Sequence, residues 1–317
     1  MEHWKKMTSS VGPLGQTLTE RFGTLNQQAR ERFGNAHDIT ELPDEYKQLE
    51  QRVDAVKAAH TAMMRTARTY ESETYDYPNH LQESFTHASQ TIGHTLSSWA
   101  AAAAKNTNLG QVQATSAPEN PPRTLHHALS RSAASAAIDL GASSATYPTE
   151  GGADAPTAEA RLSELLQKFA VVQDKIGGAR LSQDHAIVQN FILVWNAFGA
   201  QIQLAMKARQ SVRDSRLHLD SWRQALKNAE TGGASSKLEH YRSEVEQAED
   251  RLVSATEEAI SLMKNVLDNP EPIKSLAEFV HAQLEFHRTA VAALEPLQAD
   301  MAGVATTVEA EYRASRG

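Results

Sequence analysis

Apolar residues recur at steps of three and four along three long tracts, and each tract reads as a helix. The first opens at Ile39-Thr40-Glu41-Leu42-Pro43-Asp44-Glu45, with Thr40 as N-cap and acids in the first turn. Its apolar side is the heptad seam Tyr46, Leu49, Val53, Val56, His60, Met63, Ala67, Tyr70. Pro78 is expected to kink this helix, and the pattern resumes as Leu81, Phe85, Ala88, Ile92, Leu96, Trp99. The second tract covers residues 157–230, enough helix for roughly 110 Å, with a bend expected at Gly177-Gly178. A short turn at 231–236 makes the third tract its antiparallel neighbour. That tract reads Leu238, Tyr241, Val245, Ala248, Leu252, Ala255, Ala259, Leu262, Val266. Asn269-Pro270-Glu271-Pro272 interrupts it, and it restarts as Ile273, Leu276, Val280, Leu284, His287, Val291, Leu294. The pattern predicts an all-α fold: an elongated, proline-kinked, antiparallel three-helix coiled-coil bundle over residues 39–314.

Two segments fall outside this pattern. Residues 105–156 are small, polar and punctuated by Pro118, Pro121-Pro122, Pro148 and Gly151-Gly152, which reads as a flexible insertion with room for a short helix near 125–140. Residues 1–38 carry Met7, Val11, Leu14, Leu18, Phe22 and Leu25 at helical steps, with Lys5, Lys6, Arg21, Arg30 and Arg32 around them. Such a segment suits either a lipid interface or docking as an extra helix.

The middle of the second tract is apolar nearly all round. Three helices bury one seam each, so the run containing Ile187, Phe191, Val194, Trp195 and Phe198 needs a further cover. Its own copy in a two-fold homodimer supplies one, and the insertion folded back over it is the alternative.

Charge placement adds a second feature. The chain carries a net charge of −8, yet Lys207, Arg209, Arg213, Arg216, Arg223 and Lys227 face only Asp214 and Asp220 in their window. Five of them, Arg209 to Lys227, fall within roughly 80° of helical arc. This stripe suits an anionic surface, or else pairs with the acids of the third tract, Glu239, Glu244, Glu246, Glu249 and Asp250. The acidic total argues against nucleic acid as partner. The absence of cysteine removes thiolate metal sites, disulfides and Cys nucleophiles. Only one Glu-x-x-His occurs, Glu278-Phe279-Val280-His281, where a di-metal carboxylate site needs two, and there is no phosphate loop, Gly-x-Ser-x-Gly or dinucleotide fingerprint, so no enzyme, metal or cofactor is expected. No run approaches 18 apolar residues, and a cytoplasmic protein is expected.

The stretches Ile39-Thr40-Glu41-Leu42-Pro43-Asp44-Glu45-Tyr46 and Tyr70-Glu71-Ser72-Glu73-Thr74-Tyr75-Asp76-Tyr77-Pro78 resemble the fungal Golgi-vesicle BAR-domain proteins. Arg216-Leu217-His218-Leu219-Asp220 is similar to the distal second helix of endophilin-type BAR domains, and Leu276-Ala277-Glu278-Phe279-Val280-His281-Ala282-Gln283-Leu284-Glu285-Phe286-His287 to their third. The resemblance covers residues 1–104 and 157–312. It implies a crescent-shaped six-helix homodimer whose basic concave face binds curved anionic membranes, peripheral on Golgi-derived, secretory or endocytic vesicles. Arg209, Arg213, Arg216, Arg223, Lys227 and Lys237 become the implied lipid contacts, and the N-terminal segment an amphipathic wedge. No SH3 module is expected after the bundle. The competing reading is a cytosolic coiled-coil scaffold that does not bind lipid directly.

Overall fold

The structure, a computed structural model, describes residues 39–78, 88–106, 122–146, 156–232 and 237–316. It is built of helices: α1 (Asp44–Ala67) running into a 3₁₀ turn (Arg68–Glu71), α2 (Ala88–Asn106), α3 (Leu125–Thr146), α4 (Ala158–Ile187), a π-turn (Val188–Ile192), α5 (Leu193–Thr231), α6 (Leu238–Leu267) and α7 (Glu271–Ala314). Two compact units divide the chain, one of Met1–Met64 with Trp195–Pro272, the other of Arg65–Val194 with Ile273–Gly317.

The first unit packs α1, α5 and α6 around one apolar cluster. Tyr46, Leu49 and Val53 of α1 meet Phe198, Ile202, Ala205, Val212 and Leu219 of α5 and Ala248, Leu252, Ala259, Met263 and Val266 of α6. As numbers rise along α5 they fall along both neighbours, from Glu249 (met by Arg223, 2.6 Å) to Arg242 (met by Glu230, 3.7 Å) on α6, and from His60 (met by Trp195, 2.8 Å) to Glu50 (met by Arg209, 2.9 Å) on α1, so α5 is antiparallel to both. Toward its end α1 buries Met64 (5% exposed) rather than the expected Met63 (39%), because a straight helix drifts off a strict seven-residue repeat. Thr40 does not cap α1. The helix starts at Asp44, with Lys47 N–H donating to the Pro43 carbonyl at 3.2 Å.

The second unit departs further from expectation. The helix expected to kink at Pro78 instead ends at Glu71, and residues 73–77 form turns. Arg180, 2% exposed, holds this turn from α4: its Nη1 donates to the Glu73 carbonyl (2.6 Å), its Nη2 reaches Asp76 (3.5 Å), its Nε pairs with Asp184 (3.2 Å), and its guanidinium lies 4.0 Å over the Tyr75 ring. The insertion, read as flexible with room for a short helix near 125–140, holds a packed helix over Leu125–Thr146. α3 lies antiparallel on α4, where Ser130 donates to the Ala170 carbonyl (2.8 Å) and Ser163 to the Ala137 carbonyl (2.9 Å). Ala134 and Ala137 are buried, and α2 joins them through Leu96.

Gly177-Gly178 does not interrupt α4, which is continuous from Ala158 to Ile187. Gly177 is a seat for the His127 ring, which a Cβ there would approach to 2.5 Å, while Gly178 faces open space. His127 accepts or donates to Thr124 Oγ1 at 2.7 Å, and burial holds its pKa down at about 4. The two glycines therefore predict opposite effects. Gly177→Ala should cost about 1–3 kcal/mol by overpacking, whereas Gly178→Ala should stabilise by up to about 1 kcal/mol through helix propensity. Urea unfolding of the two variants measures both.

The greasy run is covered within the protomer. Ile187, Phe191 and Ile192 are fully buried, and the wider π-turn re-phases the helix between this stretch and Trp195. Phe191 packs edge-on against Phe279 of α7 (5.0 Å), which also meets Tyr70 (5.6 Å). In the first unit His60 stacks on Trp195 (5.7 Å), meets Phe198 edge-on (6.0 Å) and donates from Nε2 to the Trp195 carbonyl (2.8 Å).

Candidate functional site

The basic residues of the second tract lie on α5, and the structure separates them. Arg209 is 5% exposed and shares its helical face with the buried Phe198, Ile202 and Val212. A buried guanidinium needs anionic partners, and α1 supplies two, one turn apart. Arg209 Nε donates to Glu50 (2.9 Å), while Nη1 and Nη2 fork onto Asp54 (2.7 and 3.1 Å). The Asp54 carboxyl is held below its usual range by that hydrogen bond, and burial beside Glu50 pushes the Tyr46 phenol up to about 12. Arg209 is thus part of the α1–α5 junction and is corrected from surface contact to structural ion pair.

The remaining candidates sit further along. Arg213 is exposed and donates to Gln210 (2.8 Å), Arg216 is half-buried, and Lys227 and Lys237 are exposed. Arg223 is exposed but bridges two elements, donating to Glu249 of α6 (2.6 Å) and to Thr40 Oγ1 (2.9 Å). Thr40 in turn binds Asp220, its N–H donating to both carboxylate oxygens (3.1 and 3.3 Å) and its hydroxyl to Oδ1. Sequence reading missed this junction because Asp220 and Thr40 stand 180 residues apart. Thr40, at the N-terminal edge of the described residues, therefore lies beside Arg223. Met7, Val11, Leu14, Leu18, Phe22 and Leu25 lie outside the described residues.

The residues expected to form an interface between copies are mostly interior. Ile187, Phe191, Trp195 and Phe198 are no more than 7% exposed, and Val194 is half-buried, so the reading of this run as the dimer surface is corrected. The large uncovered apolar surface is on α7. Ile273 (77% exposed), Leu276 (42%), Val280 (56%), Leu284 (44%), Val291 (52%) and Leu294 (41%) form one stripe at heptad spacing. The same helix buries a second stripe against its own unit: Ser275, Ala282, Ala293 and Leu297, with Phe279 and Phe286 half-buried. The seam that sequence reading assigned to the bundle is the exposed one. Two interleaved heptad stripes on one helix were the available signal.

Among the described residues no cluster of His, Asp and Glu is arranged to hold a metal ion, and no helix is long and apolar enough to cross a membrane. The chain is 29% identical over 266 residues to the meiotically up-regulated gene 64 protein of Schizosaccharomyces pombe, covering 81% of this chain and 85% of that protein. It is also 29% identical over 253 residues to protein GVP36 of Saccharomyces cerevisiae, covering 80% of this chain and 73% of that one. Residues 20–302 match the Bin/amphiphysin/Rvs domain for vesicular trafficking, a non-enzymatic family. That match takes in most of the chain, including the long helices α1 and α4 to α6 and most of α7, and the protein belongs to this BAR-domain family.

Proposed function

We propose that this protein binds anionic membranes peripherally as a homodimer and senses or generates curvature on trafficking vesicles. The observation that carries the reading is the run of exposed cations along the second half of α5 and at the start of α6, Arg213, Arg223, Lys227 and Lys237, with Thr40, at the N-terminal edge of the described residues, bonded to Arg223. An amphipathic segment rooted beside exposed cations has apolar insertion and charge attraction available together. The dimer is supported by the α7 stripe, which two copies related by a two-fold axis cover mutually. The family implies a crescent-shaped, six-helix assembly for such a pair and a Golgi-derived, secretory or endocytic membrane as its surface.

Each Lys or Arg near an anionic leaflet contributes about 1 kcal/mol. Arg213→Glu with Lys227→Glu turns four attractive contributions across the dimer into repulsive ones. The expected result is at least about hundredfold weaker binding to phosphatidylserine-containing vesicles at physiological salt, with helical content unchanged. The scaffold reading draws on Arg209 and Arg223, whose charges are met inside the protomer. It requires that the same double variant leave vesicle association unaltered.

A further inference from the structure

We propose that Thr40 is a phosphorylation site whose modification releases the root of the N-terminal segment from the bundle. The proposal deepens the membrane-binding reading by giving its N-terminal segment a regulator. Thr40 lies in the non-helical stretch before α1, half-exposed, with exposed Glu41, Asp44 and Glu45 following it, a setting suited to an acid-directed Ser/Thr kinase. Its hydroxyl stands between two charges, donating to Asp220 and accepting from Arg223 (2.9 Å). Asp220 is 2% exposed, so its carboxylate depends on donors held against it, and Thr40 supplies both a backbone and a hydroxyl donor.

Phosphorylation reverses this chemistry. The Thr40 oxygen bonds to the γ-phosphorus of ATP, the bond from that phosphorus to ADP breaks, and the hydroxyl proton leaves to the kinase base. The hydroxyl donor to Asp220 is lost, leaving the backbone N–H alone, and a phosphate of charge near −2 stands against a buried carboxylate. Arg223, already shared with Glu249, cannot neutralise both. Residues 39–43 then leave Asp220, and the added negative charge lies beside the basic end of α5.

The test treats the full chain with MgATP and an acid-directed kinase, with Thr40→Val as control. Expected are phosphate mapped to Thr40, amide exchange of residues 39–43 at least tenfold faster with exchange around Val212 unchanged, and at least threefold weaker binding to phosphatidylserine vesicles. The control takes no phosphate at position 40. A Thr40 that stays unmodified, or that carries phosphate while residues 39–43 exchange at the original rate, overturns the proposal. Failure of the untreated chain to bind vesicles overturns the membrane reading instead, and the exchange rates then decide the release on their own.

Discussion

Val280→Glu combined with Leu284→Glu is expected to leave a folded monomer of 34.7 kDa, where the proposed homodimer of the unmodified chain is expected to sediment at twice that mass. Both residues stand near the middle of the exposed α7 stripe, at 56% and 44% exposure, so neither substitution disturbs the packed side of the helix. In a two-fold dimer the four introduced carboxylates face apolar surface. At about 2 kcal/mol or more each, the total approaches 8 kcal/mol, or between five and six powers of ten in dissociation constant. Phe191→Glu discriminates between the two candidate interfaces. Phe191 is fully buried against Phe279, so a carboxylate there should unfold its unit rather than dissociate a folded pair. Sedimentation equilibrium with circular dichroism separates the outcomes, and a dimeric Val280→Glu/Leu284→Glu variant would remove α7 from the interface.

The second large effect is expected at Arg180. Arg180→Met removes the cation that holds Glu73, Tyr75 and Asp76, and leaves Asp184, 6% exposed, without its partner. Breaking a buried pair in this way costs about 3–5 kcal/mol at neutral pH. The pH dependence has a definite sign. Burial already pushes Asp184 up to about 6 against the pull of Arg180, so this group takes stability away as pH rises from its unfolded value of 3.8 through 6. Without Arg180 the folded pKa rises further and the loss extends toward neutrality. His127 acts in the opposite sense: its pKa of about 4 means stability is lost as pH falls from 6.5 toward 4. Because the two overlap between pH 4 and 6, the double variant Arg180→Met/Asp184→Asn is the cleaner probe. It should regain a large part of the loss at pH 7, as measured by urea unfolding. A double variant no more stable than Arg180→Met would show that Asp184 is not the stranded group.

The contrast between Phe191 and Val280 marks how far sequence carried. Heptad spacing located α1, α5, α6 and α7 because each carries an apolar stripe at helical period, and Asn269-Pro270 ended α6 where expected. Spacing does not say which stripe meets which partner. α7 carries large aliphatics on its exposed stripe and small or aromatic residues on its buried one, so the stronger pattern pointed away from its own core. The polar sites were less legible for a related reason. Arg209 looked like part of a surface stripe because the acids that bury it, Glu50 and Asp54, lie on another helix. Arg180 gave only the i, i+4 spacing to Asp184 as a local signal, since its other partners come from a turn far upstream. α3 was expected as a short helix near 125–140, but its packing was not legible, because its alanines and serines pack closely and contribute little to an apolar count.

Co-sedimentation of the unmodified chain with vesicles, with and without phosphatidylserine, tests the central claim most directly. Charge attraction decays within a Debye length of about 8 Å at physiological salt and about 3 Å at 1 M. The account predicts binding to the acidic vesicles alone, lost progressively as salt is raised. Equal sedimentation with neutral and acidic vesicles, unchanged by salt, would contradict it.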